Sequence, residues 1–272
     1  MGRIIITIDG GGVRGVIPLV LLREISRTSH TELNQLEIEW WGTSTGSIIS
    51  GGLCKLRTLP FEVAVQNVLD LYELRSAPAI NPGKVSQPAR AFNQLIAANF
   101  EGLAMRDFPQ FRCVVAEIES GMPVIVDQHW PVDLDQAIRA SCAFPGLFPP
   151  VNLNGQTFVD GYVQAKNPTM LAFEYHQKQG VTPDLILSLG TGVMRAHDPV
   201  EQKVQEIDLW MKQQAISRNI PYFRLNPTLE KAVDNMQNST PKNIHHLKLD
   251  SMQFIQENKD TFREIGKIIS DY

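Results

Sequence analysis

From Arg3 to Ile8 the chain is a short isoleucine-rich run that stops at Asp9-Gly10-Gly11-Gly12, and from Val16 to Ile25 apolar residues return at helical spacing. The reading is strand, tight glycine turn, helix. β-Branched side chains suit a pleated surface, and glycines let the chain reverse without a Cβ in the way. The order recurs: an apolar stretch ending in Trp40 and Trp41 meets Gly42, and Ile48, Ile49 and Leu53 follow at helical intervals. Further strands are expected at Arg112 to Ala116 and Asp184 to Leu189, with helical segments at Phe61 to Leu74 and Pro168 to Gln179. Such alternation predicts an α/β fold whose mainly parallel central sheet is covered by helices. At 272 residues the chain fits a single domain, and roughly 70–75% of its unfolded surface should be buried without disulfides or structural metal.

The formal charge of −4 comes from 25 basic and 29 acidic residues with no basic run, which argues against a nucleic-acid partner. Asp9 and the glycines interrupt the amino-terminal apolar run before it reaches the length of a secretory h-region. No stretch approaches the roughly 20 apolar residues of a spanning helix. Cys54, Cys113 and Cys142 are odd in number and widely spaced, so buried reduced thiols and a cytoplasmic location are expected. The histidines lie in polar or turn-like settings and no group has metal-ligand spacing, so neither metal nor cofactor is expected. Pro78, Pro82, Gly83 and Pro88 predict a surface loop, and Pro145, Pro149 and Pro150 a rigid turn carrying Phe144, Leu147 and Phe148.

Gly42-Thr43-Ser44-Thr45-Gly46 is G-x-S-x-G where a strand passes into a helix, the context in which that pattern exposes a serine at the tip of a sharp bend. The loop Asp9 to Gly15 also follows a strand and opens a helix, and its unobstructed N–H groups suit developing negative charge. Its Gly10, Gly12 and Gly15 also fit a dinucleotide fingerprint, but Asp9 would set a carboxylate against the pyrophosphate and no acid clearly ends a second strand some 20 residues on. A serine hydroxyl needs a proton acceptor within hydrogen-bond reach. Asp160, before Gly161 at the end of a β-like run, is one candidate; the order Ser44, Asp160, then His245 or His246 leaves a three-member arrangement open.

The DGGGVRG loop, GTSTG some thirty residues later and Asp160-Gly161 past the middle resemble, in this order, the patatin-like phospholipase family. The likeness extends through Ala140-Ser141-Cys142-Ala143-Phe144-Pro145, Asn167-Pro168 and Ser188-Leu189-Gly190-Thr191-Gly192, covering about Ile4 to Gly192. It implies a three-layer α/β/α fold in one domain, residues 1–272, with residues 193–272 a motif-free C-terminal part. It further implies metal-independent hydrolysis of phospholipid or lysophospholipid acyl esters by a Ser-Asp dyad. Ser44 matches the nucleophile, Asp160 the dyad base, and Gly10, Gly11, Gly12 and Arg14 the oxyanion-hole loop, although Arg14 could equally hold that loop by pairing with a carboxylate. The family usually has Gly or Ala after Asp-Gly, whereas this chain has Tyr162.

Phe144, Leu147, Phe148 and Tyr162 are the expected substrate contacts, with Ser76 to Pro88 as a mobile cover. Met252, Ile255, Phe262, Ile265 and Ile269 share a helical face expected to pack on the core, so membrane contact would be peripheral and reversible at most. Two competing readings are a catalytically silent storage or binding protein and a histidine-dependent esterase.

Overall fold

The computed structural model describes residues 3–75, 88–193 and 198–272. Its elements begin with β1 (Ile4–Ile8), a 3₁₀ turn (Gly12–Gly15), α1 (Val16–Ser29), β2 (Ile38–Thr43), α2 (Thr45–Lys55) and α3 (Phe61–Asp70). Next are α4 (Pro88–Phe100), β3 (Phe111–Glu117), β4 (Pro123–Val126), α5 (Leu134–Ser141), β5 (Val151–Leu153), β6 (Gln156–Asp160), α6 (Tyr162–Ala165) and α7 (Thr169–Lys178). The chain closes with β7 (Leu185–Leu189), α8 (Pro199–Arg218), β8 (Tyr222–Leu225), α9 (Pro241–Glu257) and α10 (Lys259–Ser270).

Strands β3, β2, β1, β7 and β8 lie side by side in parallel, and β4, β5 and β6 join antiparallel at one end. All five residues of β1 are buried, because alternate side chains enter two different cores. Ile4, Ile6 and Ile8 pack with residues of α1, α2, α3, α5, α9 and α10. Ile5 joins Trp41, Ile186 and the buried faces of α7 and α8. The result is the three-layer α/β/α arrangement.

One feature of the sheet positions the site. β4 occupies one edge of β3 at Cys113–Ala116. Strand β2, pairing Trp40–Thr43 with Phe111–Val114, and strand β6, pairing Asp160, Val159 and Phe158 with Val115, Ala116 and Glu117, must therefore share the other edge. They meet end to end from opposite directions, Thr43 opposite Val114 and Asp160 opposite Val115.

Several expectations need correction. Glu39 is a poor residue by pattern for a doubly covered strand, yet β2 tolerates it because Arg112 (2.7 Å), His176 (3.0 Å) and Arg3 (3.3 Å) surround its carboxylate. His176 accordingly is fully buried within α7, between the Ala172 carbonyl and Glu39, and not at a turn. Pro88 begins α4 instead of ending a loop, while the rest of the expected cover, Ser76 onward, lies outside the described residues. The C-terminal apolar face is divided between α9 and α10; Ile255, Phe262, Ile265 and Ile269 are buried, but Met252 is 46% exposed. Helix α10 comes close to α1 at Gly266, where a Cβ would lie 2.5 Å from the Thr28 carbonyl oxygen.

Candidate active site

The bend at Ser44 exists because its two glycines are missing side chains. A Cβ on Gly42 would stand 2.2 Å from the Gly46 backbone, and one on Gly46 would stand 2.2 Å from the Ile8 carbonyl oxygen. Ser44 itself has φ 54° and ψ −122°, a backbone state that costs a non-glycine residue on the order of 1–3 kcal/mol and persists only where neighbours hold it. They do: the Ser44 carbonyl accepts from Ser47 N (2.8 Å) and Ser47 Oγ (2.6 Å), and the Ser44 N–H donates to Ser141 Oγ (2.9 Å).

Ser44 Oγ donates to Asp160 Oδ2 at 2.7 Å. Asp160 is fully buried, its Oδ1 accepts from Tyr162 N (2.8 Å), and its own N–H donates to Ala143 O (3.0 Å). Burial pushes its carboxyl up to about 7; the Tyr162 amide and the Ser44 hydroxyl, which both favour the ionised form, offset only part of that. Gly161 lets the chain turn at once after Asp160, since a Cβ there would lie 2.3 Å from Val114 O.

The glycine loop supplies fewer free donors than its sequence offers. Gly10 N–H donates to Lys166 O (3.0 Å), Val13 N–H to Met236 O (2.9 Å) and Arg14 N–H to Gly11 O (3.2 Å). Among the described residues, the N–H groups of Gly11 and Gly12 have no acceptor, and both residues line the cavity at Ser44. Gly12 has φ +58°, and a Cβ there would meet the Met236 carbonyl oxygen at 2.3 Å, so glycine is required twice over. The buried Arg14 side chain pairs with Asp234.

Sequence reasoning missed what fixes this loop. Asp9, fully buried, is held by both Arg224 terminal nitrogens at 2.6 and 2.9 Å, and Thr191 Oγ1 donates to Gly10 O at 2.7 Å. Lys166, whose carbonyl takes the Gly10 amide, is itself buried against Glu201. An aspartate opening a glycine loop was the available signal, but no pattern identifies a partner 215 residues away.

A cavity of about 80 Å³ opens over Ser44 and Asp160, walled by Ile48, Phe92, Phe144, Leu147, Phe148, Tyr162 and Met236. All four sequence-designated contacts are therefore among its lining residues. Phe148 stacks on Phe92 (4.5 Å between centroids), and the edge of Tyr162 meets Phe144 (5.8 Å). Tyr162 also covers Gly10, where a Cβ would lie 2.7 Å from its ring. His245 and His246 lie on α9, and among the described residues no histidine hydrogen-bonds to Ser44 or Asp160. No group of three metal-ligating side chains occurs among the described residues.

Fold and site together define an α/β/α sandwich with a serine–aspartate pair at the carboxyl ends of its parallel strands, where such sheets place their ligands. The family model for patatin-like phospholipase matches residues 6–173, and the chain belongs to that family. The human calcium-independent phospholipase A2-gamma is 26% identical over 98% of this chain, and patatin-like protein 1 of Arabidopsis thaliana is 25% identical over 73% of it. The chain spans 40% of the first relative's length and 61% of the second's. Among solved structures, VipD from Legionella pneumophila aligns with a TM-score of 0.40 and 11% identity, covering 94% of this chain and 67% of that one.

Proposed function

We propose that this chain is a serine lipid acyl hydrolase acting on phospholipid or lysophospholipid esters. The observation that carries the reading is the 2.7 Å hydrogen bond from Ser44 Oγ to an aspartate whose carboxyl burial has raised to about 7. An ordinary aspartate, with a pKa near 3.9, is a feeble base towards a hydroxyl; one poised near neutrality is far better matched. Ser44 Oγ attacks the ester carbonyl carbon as Asp160 takes its proton, and the tetrahedral oxyanion is received by the Gly11 and Gly12 amides, each worth roughly 3–4 kcal/mol of barrier. Collapse expels the alcohol, which takes the proton back from Asp160, and leaves an acyl-serine. Water then attacks the acyl carbon, gives its proton to Asp160, and releases the fatty acid while Ser44 regains its hydrogen. Gly10 and Arg14 have a different part: with Lys166 O and Asp234 they hold the loop whose next residues, Gly11 and Gly12, line the cavity at Ser44.

The apolar walls suit an acyl chain, and the phospholipase names of the relatives support that substrate class. The name "calcium-independent phospholipase A2-gamma" of a relative supports independence of calcium, and the proposed mechanism calls for no metal. No described helix is long and apolar enough to cross a membrane. Three buried unpaired cysteines suit the reducing cytoplasm.

A fluorophosphonate probe should label wild-type protein at Ser44 and leave Ser44→Ala unlabelled. Mass spectrometry of products from phospholipid, lysophospholipid and triacylglycerol should find free fatty acid, undiminished by excess chelator. An unlabelled wild-type protein, or none of these lipids cleaved, refutes the proposal.

A further inference from the structure

Ser141 lies where the ladder between β2 and β3 meets the bend. Trp40 N donates to Gln110 O at 2.8 Å, and donors of one strand in a parallel ladder recur at every second residue. The same series calls for Gly42 N to reach Arg112 O and for Ser44 N to reach Val114 O. At Ser44, however, the chain turns out of the sheet with φ 54°. Its N–H meets the Ser141 hydroxyl at 2.9 Å, and that hydroxyl donates its own hydrogen to Val114 O at 2.7 Å.

A single hydroxyl can do both, having one hydrogen to give and lone pairs to receive. Ser141 is the last residue of α5 and fully buried, so no bulk water is at hand to replace it. Val114 O is also where β6 takes over the edge of β3, with Gly161 packed against it. The hydroxyl thus completes an interrupted rung at the seam between the strand that delivers Ser44 and the strand that delivers Asp160.

Resting on the reading of Ser44 as nucleophile, we infer that Ser141 is a positioning residue: its hydroxyl, inserted between Ser44 N–H and Val114 C=O, holds the nucleophile in its left-handed backbone state facing Asp160. Without it the buried Val114 carbonyl and the part-buried Ser44 N–H both lose their partner, and Ser44 is free to relax to an ordinary φ that takes Oγ off the carboxylate. A purely structural role would lower the amount of folded protein yet leave each folded molecule as reactive as before.

The test uses the full chain and two readouts: fluorophosphonate labelling rate per folded molecule, and turnover of a short-chain p-nitrophenyl ester. Ser141→Ala should slow labelling and kcat by about 10- to 100-fold with KM within about twofold, since the loss falls on the geometry of attack. Ser141→Thr, which keeps the hydroxyl, should recover most of the rate. Should Ser141→Ala not accumulate folded, Ser141→Cys preserves volume with only a weak donor and acceptor, and the same slowing is expected of it. Folded Ser141→Ala or Ser141→Cys labelling within twofold of wild type overturns the inference. Absence of label on wild type instead overturns the parent reading, so the two failures are distinct.

Discussion

Replacing Asp160 by Asn should abolish turnover and make the protein more stable, by an amount that depends on pH in a set direction. The folded carboxyl titrates near 7 and the unfolded one near its ordinary 3.8, because burial disfavours the charge. Between those values the native state binds more protons than the unfolded state, so wild-type stability falls as pH rises. The stability associated with the neutral carboxyl is fully present below 3.8 and lost once the pH has passed 7. At roughly 1.4 kcal/mol per pH unit the interval amounts to about 4 kcal/mol. Asn carries no charge to desolvate, and its groups can meet the same partners: Oδ1 accepts from Tyr162 N, and Nδ2 donates to Ser44 Oγ.

The difference in unfolding free energy between Asp160→Asn and wild type should therefore be small near pH 4 and grow to about 4 kcal/mol in favour of the variant at pH 8. With an unfolding entropy of about 2.1 cal/mol/K per residue, that is a Tm gap of roughly 7 °C. Denaturant titrations at pH 5, 6, 7 and 8 measure it. A difference that stays constant over that range would refute the argument that Asp160 is held uncharged by burial.

Wild-type kcat/KM on a soluble ester should rise about tenfold per pH unit up to about 7 and then level, because only ionised Asp160 accepts the Ser44 proton; a flat profile from pH 5 to 8 contradicts this. Replacing His245 and His246 together by alanine should leave kcat within about twofold, whereas a thousandfold fall would restore the three-member alternative. Arg224→Met strands the buried Asp9 carboxylate and should destabilise the fold by about 3–5 kcal/mol, read as a lower denaturant midpoint.

Much of the fold is legible because it rests on local rules. Ile4–Ile8, the glycines after it and the helical spacing that follows state a strand, a turn and a helix without reference to anything distant. The elbow is legible as G-x-S-x-G between a strand and a helix, and Gly42 is required by a contact within the bend, whereas Gly46 is required by the Ile8 carbonyl of the neighbouring strand β1. Edge strands β4, β5 and β8, three or four residues each, are too short to carry a period, and the sequence reading passes over them. The terminal apolar face is legible as a face, but the break at Asn258 that divides it between α9 and α10 is not.

By itself the chain determined that Ser44 sits on a bend and that a glycine loop follows β1, since strand, glycine turn and helix are each signalled within a few residues. Only the tertiary structure decided which partners these groups have. Asp160 reaches Ser44 across 116 residues because β2 and β6 share one edge of β3, and it sits near neutrality because surrounding layers strip its water. Gly10 spends its amide on Lys166 while Gly11 and Gly12 keep theirs, and Asp9 finds Arg224. Hydrogen bonding, desolvation and charge pairing act through space, and a string of residues specifies them only once it has folded.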